Sequence, residues 1–258
     1  ATGAKLVVAS RNDRKDLVAL SLLIKQQKVS HTLCLPSLYE LILEYVDPTF
    51  FKTLTTVIVA GESCSRELCI KHNRKNSDCV LYNEYGPTEA SVWCSVYKVP
   101  KTNLPFHIPI GAPIPGTQIL VLDSRRRPVP NQVAGEIHIC GPGVVPGYIN
   151  GNGKLDDRFW VSTDETECRY YATGDLAFSD QRGRLTFLGR RDEQVKVRGH
   201  RIELGEVESA IKSESGITDA AVSLETPVSH DIDQLLAATA MLEPAALDKL
   251  LAEAEKRI

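Results

Sequence analysis

The chain has 258 residues, enough for one large domain or two smaller ones. Its hydrophobic fraction of 43% and charged fraction of 24% are those of an ordinary globular protein. A net charge of -3 gives no reason to expect nucleic acid or an anionic membrane as partner, and no apolar run approaches the roughly 20 residues that span a bilayer. The N-terminus has no basic region leading into a signal-type apolar run, so it reads as a segment entered mid-domain and the expected location is cytoplasmic. The seven cysteines (34, 64, 69, 79, 94, 140 and 168) are irregularly spaced, with no Cys-x-x-Cys pair. They read as buried reduced thiols, and structural zinc is not expected.

In chain order, Asp13 to Lys28 carries apolar residues at Leu17, Leu20 and Ile24, a helical spacing. His31 to Leu35 is a short strand candidate, and Pro36 suits the first turn of a helix reaching about Tyr45. Thr56 to Ala60 is a β-branched run closed by Gly61, which predicts a buried strand and a turn. Ser65 to His72 reads as a helix and Cys79 to Tyr82 as a strand. This alternation predicts a parallel sheet with crossover helices.

Residues 104–190 are rich in Pro and Gly, with β-type pieces at Gln118–Leu122, Gly135–Cys140 and Arg184–Leu188, the pattern of an antiparallel sheet or small barrel. Beyond Asp192, Gln194–Val197 and Ala220–Leu224 read as strands, Gly205–Lys212 and Pro244–Arg257 as helices. The expected organisation is an α/β body with a partial parallel sheet (1–103), an antiparallel, β-barrel-like subdomain (104–191) and an α+β lid (192–258).

Three runs carry the chemistry. Asn83-Glu84-Tyr85-Gly86-Pro87-Thr88-Glu89-Ala90 follows a strand, where ligand loops of open α/β sheets sit. Gly86 lets the backbone pass close to a ligand and Pro87 stiffens the turn. An aromatic ring can stack on a base, a Thr hydroxyl can donate to a phosphate oxygen, and a carboxylate can hold Mg²⁺ against phosphates. The second run is Tyr171-Ala172-Thr173-Gly174-Asp175-Leu176 and the third spans Gly189 to Glu203. Taken singly, each has a plainer reading: a tight surface turn, a Gly-Asp turn, a solvated charged face.

Together they resemble the adenylation domains of non-ribosomal peptide synthetases, which activate a carboxylic acid as an acyl-AMP. The resemblance implies that Tyr85 lies on the adenine, Thr88 contacts the α-phosphate and Glu89 binds the metal. It gives Asp175 both ribose hydroxyls, with Arg190 in support. Asp192 would be the hinge of the lid, with Lys196 pointing into the active site. Val59-Ala60-Gly61-Glu62-Ser63 fits too, Gly61 and Glu62 lying near the nucleotide. Leu35-Pro36-Ser37-Leu38-Tyr39 and Gly135-Glu136-Ile137 through Gly147-Tyr148 complete the match, the latter without an assigned chemistry. By alignment, Cys34, Ile58, Ala60, Glu84, Val92 and Trp93 would line the acyl pocket. Glu84 suggests a cationic or hydrogen-bond-donating substrate side chain, or else turns toward the adenine amino group. Trp93 suggests a small substrate such as glycine or alanine.

The implied cofactors are ATP, Mg²⁺ and the phosphopantetheine of a peptidyl carrier domain, with an amino acid as substrate and other synthetase domains as neighbours. The family's phosphate loop, its amino-group-binding Asp and its terminal catalytic lysine run are not in the sequence. The chain therefore reads as part of a larger synthetase, inactive by itself in amino-acid-dependent pyrophosphate exchange. Asn152-Gly153-Lys154-Leu155-Asp156 imitates the lysine run but falls where the family has a variable loop, so Lys154 reads as a surface turn. Two rivals stand beside this reading: an acyl-CoA or aryl-acid ligase of the same superfamily, and a non-catalytic scaffold fragment.

Overall fold

The computed structural model describes residues 3–10, 16–47, 49, 52–76, 78–149, 157–162, 168–192, 194–197, 200–213, 217 and 219–224. They fall in two compact units, Ala1–Glu206 and Val207–Ile258.

The first unit opens with three helices alternating with three strands. Helix α1 (Leu17–Gln26) is capped by Asp16, whose carboxylate accepts from Val18 N at 2.8 Å and Ala19 N at 3.3 Å. Helix α2 (Pro36–Tyr45) starts on Pro36, whose missing N–H costs nothing in the first turn. Helix α3 (Arg66–Lys75) is capped by Ser65 Oγ, which accepts from Leu68 N at 3.0 Å. A cap of this kind contributes about 1 kcal/mol. Glu67 in the first turn of α3, and Arg74 and Lys75 in the last, complement the helix dipole.

Strands β1 (His31–Cys34), β2 (Thr56–Ala60) and β3 (Val80–Tyr85) are parallel neighbours. Strands β4 (Ser95–Lys98) and β5 (Ala112–Pro113) extend the sheet antiparallel, so the sheet is mixed. Alternation sorts its faces. Val57, Val59 and Leu81 join Tyr39, Leu43, Leu68 and Cys69 in one buried core, while Ile58, Ala60 and Glu84 look the other way and are half-buried. His72 lies inside this core at 1% exposure. Its Nδ1 accepts from Tyr39 Oη at 2.7 Å and its Nε2 donates to Cys79 O at 3.1 Å, so both ring nitrogens are satisfied.

The second sheet is antiparallel: β6 (Gln118–Leu122), β7 (Gly135–Cys140), β8 (Phe159–Val161), β9 (Arg169–Ser179) and β10 (Leu185–Arg190), in the order β10-β9-β7-β6 with β8 also on β9. The barrel-like expectation is corrected here. Strands β6 and β10 do not pair, and an open cleft of about 240 Å³ lined by Ile119, Val121, Val129 and Leu185 lies between them. The two sheets join where Ile110 N donates to Leu185 O at 2.9 Å and Asn83 Nδ2 to Pro109 O at 2.8 Å.

The expectation of seven reduced thiols is also corrected: Cys140 and Cys168 form a disulfide, with Cα atoms 6.3 Å apart. Antiparallel pairing of Cys140 with Tyr170 brings together two cysteines 28 positions apart, which spacing alone does not reveal. The other five are free, and burial pushes the Cys34 and Cys94 thiols up to about 12.

Strands β11 (Gln194–Val197) and β12 (His200–Glu203) form a hairpin, followed by helix α4 (Leu204–Lys212). In the second unit, Lys212 pairs with Asp219 at 2.7 Å. Residues Ala220–Leu224 are not a strand, contrary to expectation: no described strand lies beside them, and Val222 N donates to Glu208 Oε1 at 3.0 Å instead. The helix expected over Pro244–Arg257, the turn at Lys154 and the start of the first helix at Asp13 lie outside the described residues.

His138 on β7 is 3% exposed, and its Nδ1 accepts from Trp160 Nε1 at 2.9 Å. Burial, with the Arg126 and Arg191 charges nearby, lowers its pKa to about 4. Histidine in an unfolded chain titrates near 6.5. Between those values the unfolded chain binds the extra proton, so the contribution is full above about pH 6.5 and is lost as pH falls toward 4. Burial shifts His72 in the same direction. Urea unfolding at pH 7 and pH 5 should show a loss of about 2 kcal/mol attributable to His138. His138→Gln should flatten that part of the pH dependence.

Candidate functional site

The two sheets bring the three sequence runs to one place. Tyr85 ends β3 and is 8% exposed, its ring beside Phe187 and its hydroxyl donating to Asp175 Oδ2. Asp175 sits in the middle of β9 at 4% exposure. Its other oxygen, Oδ1, accepts from Arg190 Nη1 at 2.7 Å. Arg190 ends β10 and also grips Asp192 through Nε and Nη2, each at 2.6 Å. Burial works to raise the Asp192 pKa, but the Arg190 hydrogen bonds and charge outweigh it and hold the carboxyl below its usual range. For Tyr85, burial and then the Asp175 charge act together and push the phenol well up.

Gly174 makes this cluster possible. Its φ is +77°, and a Cβ there would stand 2.8 Å from Arg190 Nη2 and 2.9 Å from Asp192 Oδ2. Its N–H donates to Glu136 Oε1 at 2.9 Å, while Glu136 Oε2 pairs with Arg191 at 2.9 Å. Thr173 Oγ1 donates to Ile137 O and accepts from Asp175 N. Glu136 is a residue that motif reading flags without a role. It is a buried carboxylate on β7 that supports the Gly174 turn from beneath.

Beyond Tyr85 the chain turns through Gly86 and Pro87 into a 3₁₀ turn, Thr88–Ala90. Gly86 admits no side chain because the backbone at Val92 O would lie 2.2 Å from its Cβ. The close approach is thus to the returning chain. Glu89 in this turn is 5% exposed, and Tyr148 Oη donates to its Oε1. Thr88, at the start of the turn, is exposed. Ser91 and Val92 take φ of 57° and 81°, a region a β-branched residue disfavours.

At the carboxyl ends of β1 and β2, a Cβ on Gly61 (φ +88°) would stand 3.1 Å from Leu35 Cδ2, and Glu62 Oε2 accepts from Ser37 N at 3.1 Å. Among the six pocket positions, Ile58, Ala60 and Glu84 share one face: Ile58 pairs with Tyr82 and Ala60 with Glu84. Burial raises the Glu84 pKa, and the side chain makes no hydrogen bond or ion pair with a described residue. Val92 and Trp93 are 53% and 37% exposed on the loop beyond the 3₁₀ turn. Cys34 is set apart, pairing with Val59 and packing against the helix-side core. The backbone of Lys196 lies in β11, and its side chain is outside the described residues.

A family model described as AMP-binding enzyme matches residues 1–149. The chain belongs to that family. This AMP-binding chain is similar to a plipastatin synthase component of Bacillus subtilis (strain 168), 39% identical over 221 residues, covering 86% of this chain and 6% of that protein. It is 36% identical over 220 residues to gramicidin S synthase 2 of Brevibacillus brevis, covering 85% of this chain and 5% of that protein. Among solved structures it resembles PA1221, an NRPS protein containing adenylation and PCP domains, with TM-score 0.74 and 30% identity over 82% of this chain and 43% of that one. The AMP-binding chain thus spans 6% and 5% of the two synthetases and under half of the solved chain.

Gly174→Ala should be destabilising by about 1–3 kcal/mol, since it forces a Cβ at positive φ against the Arg190–Asp192 pair. A thermal melt should fall by several degrees, roughly 2–4 °C per kcal/mol for a domain of this size. A melt unchanged within error would mean that the ion pair gives way freely.

Proposed function

We propose that this chain is part of an adenylation domain that activates an amino acid with ATP, forming an aminoacyl-AMP for transfer to the phosphopantetheine thiol of a carrier domain. The observation that carries the reading is the convergence of Tyr85, Asp175 and Arg190, contributed by two sheets. In this reading the substrate carboxylate attacks the α-phosphate in line and pyrophosphate leaves, a reaction that depends on positioning and electrostatics. Asp175, with roughly four acceptor sites of which two are engaged by Tyr85 and Arg190, receives the ribose hydroxyls. Tyr85, Gly61, Glu62 and Glu84 border the adenine and Thr88 meets the α-phosphate.

The described residues hold no cluster of three or more metal-binding side chains. A single buried carboxylate still fits Mg²⁺, which is commonly held by one or two carboxylates together with substrate phosphates. Glu89 supplies that carboxylate, and the ion would neutralise phosphate charge. Asp192 serves as hinge and Lys196 enters the site as the 192–258 subdomain turns against subdomains 1–103 and 104–191. Neighbouring synthetase domains and a carrier domain are the partners. No described helix is long and apolar enough to cross a membrane.

For the acyl pocket, Ile58, Ala60 and Glu84 form one wall, with Val92 and Trp93 at the rim and Cys34 behind. A half-buried Glu84 without a described partner favours a substrate that brings its own donor, and the bulk of Trp93 favours a small one. ATP–pyrophosphate exchange by the complete adenylation domain against an amino-acid panel should favour basic, polar or small substrates. Preference for leucine or phenylalanine would overturn the pocket assignment.

Asp175→Asn in that complete domain keeps the shape but removes the charged acceptor. ATP affinity should fall at least about tenfold, since hydrogen bonds to charged groups are each worth roughly 1.5–3 kcal/mol. Unchanged affinity by calorimetry would contradict the ribose assignment.

A further inference from the structure

The loop between β7 and β8 matches a family run but has no chemistry assigned to it. In the structure it is clasped onto the 3₁₀ turn that carries Glu89. Val145 N donates to Glu89 O at 2.9 Å, and Ser91 Oγ donates to Gly143 O at 2.7 Å. Gly143 comes so near that a Cβ there would lie 2.9 Å from Ala90 O. The loop is steadied in turn by Arg169 Nη1, which donates to Pro146 O at 2.8 Å. Main chain and side chain of Glu89 are therefore both held by this loop, the side chain through the Tyr148 hydroxyl.

Two features separate this contact from ordinary packing. Tyr148 is 44% exposed, so burial does not oblige its hydroxyl to find a protein partner, yet it is spent on a carboxylate that is 5% exposed. Its ring is fixed from two sides, edge-on to Phe159 at 5.8 Å and under the Arg158 guanidinium at 5.7 Å. Beside the same pair stands Tyr171, whose phenol is pushed well up by burial and then by its interactions with Tyr148 and Glu89, so the three side chains form one cluster around the carboxylate.

We infer that Tyr148 is a positioning residue: its hydroxyl sets the rotamer of Glu89 and so orients the carboxylate toward the divalent cation. The inference rests on the reading of Glu89 as the metal ligand. Outer partners of this kind fix the direction of a ligand's lone pairs, and their removal typically weakens metal affinity by roughly 10–100-fold.

The test uses the complete adenylation domain. Mn²⁺ binding to its complex with α,β-methylene-ATP is followed by water-proton relaxation, alongside metal-free AMP affinity and the thermal midpoint. Tyr148→Phe keeps the ring and removes the hydroxyl; it should weaken Mn²⁺ binding about tenfold and lower the melt by a few degrees, while AMP affinity stays as in the parent. Glu89→Gln should weaken Mn²⁺ binding at least as much. If Tyr148→Phe binds Mn²⁺ normally while Glu89→Gln does not, the positioning role is wrong and the metal reading stands. If Glu89→Gln binds Mn²⁺ normally, the metal reading fails and takes the inference with it. Parallel loss of Mn²⁺ and AMP binding in Tyr148→Phe would make Tyr148 a structural residue and overturn the inference.

Discussion

The buried pairing of Asp175 with Arg190 is the constraint around which the first unit is organised. One oxygen of Asp175 takes the guanidinium and the other takes the Tyr85 hydroxyl, so a single carboxylate ties the mixed sheet to the antiparallel one. A buried ion pair adds little net stability compared with a well-packed apolar substitute. Removing one partner is costly, commonly about 3–5 kcal/mol, because the other is left charged in a poor solvent. The pair is thus better understood as fixing position than as holding the fold together, which falls to the apolar clusters on β2, β7 and their neighbours.

The same arrangement reaches beyond the pair. Arg190 uses two further donors, on Nε and Nη2, for Asp192, two residues on, and Gly174 leaves the space in which both side chains meet. Glu136 supports the Gly174 turn, and the loop after β7 clasps the Glu89 turn. Tyr85, Asp175 and Arg190 are therefore each held by a neighbour from another strand, so their geometry is a property of the sheet pairing.

Much of this was readable in the sequence. Thr56–Ala60, Gln118–Leu122, Gly135–Cys140 and Gln194–Val197 are strands with the expected ends, because β-branched runs bounded by turn residues leave little choice. Pro36 marks its helix for an equally local reason. The longest strand, Arg169–Ser179, was not legible: Thr173-Gly174-Asp175 looks like a turn, Gly174 does take a positive φ, and only the pairing with β7 and β10 carries the strand through it. Ala220–Leu224 erred in the opposite direction, having β-type residues and no partner among the described strands. The Cys140–Cys168 bridge and the Tyr148–Glu89 contact join residues 28 and 59 positions apart, and no local pattern encodes either.

Gly86 is pressed against the backbone of Val92 and Cys94, so the turn bearing Tyr85 and the loop bearing Val92 and Trp93 form one rigid piece. Val92 also holds a φ of 81° that its branched side chain resists. For anyone engineering this protein, the two facts draw a line. Exchanging side chains at 92 and 93 leaves the scaffold in place, and asparagine or glycine at 92 even relaxes it. Lengthening the loop by one residue would shift the chain that Gly86 rests on, and the disturbance would arrive at Tyr85 and Asp175 before it altered anything at the rim.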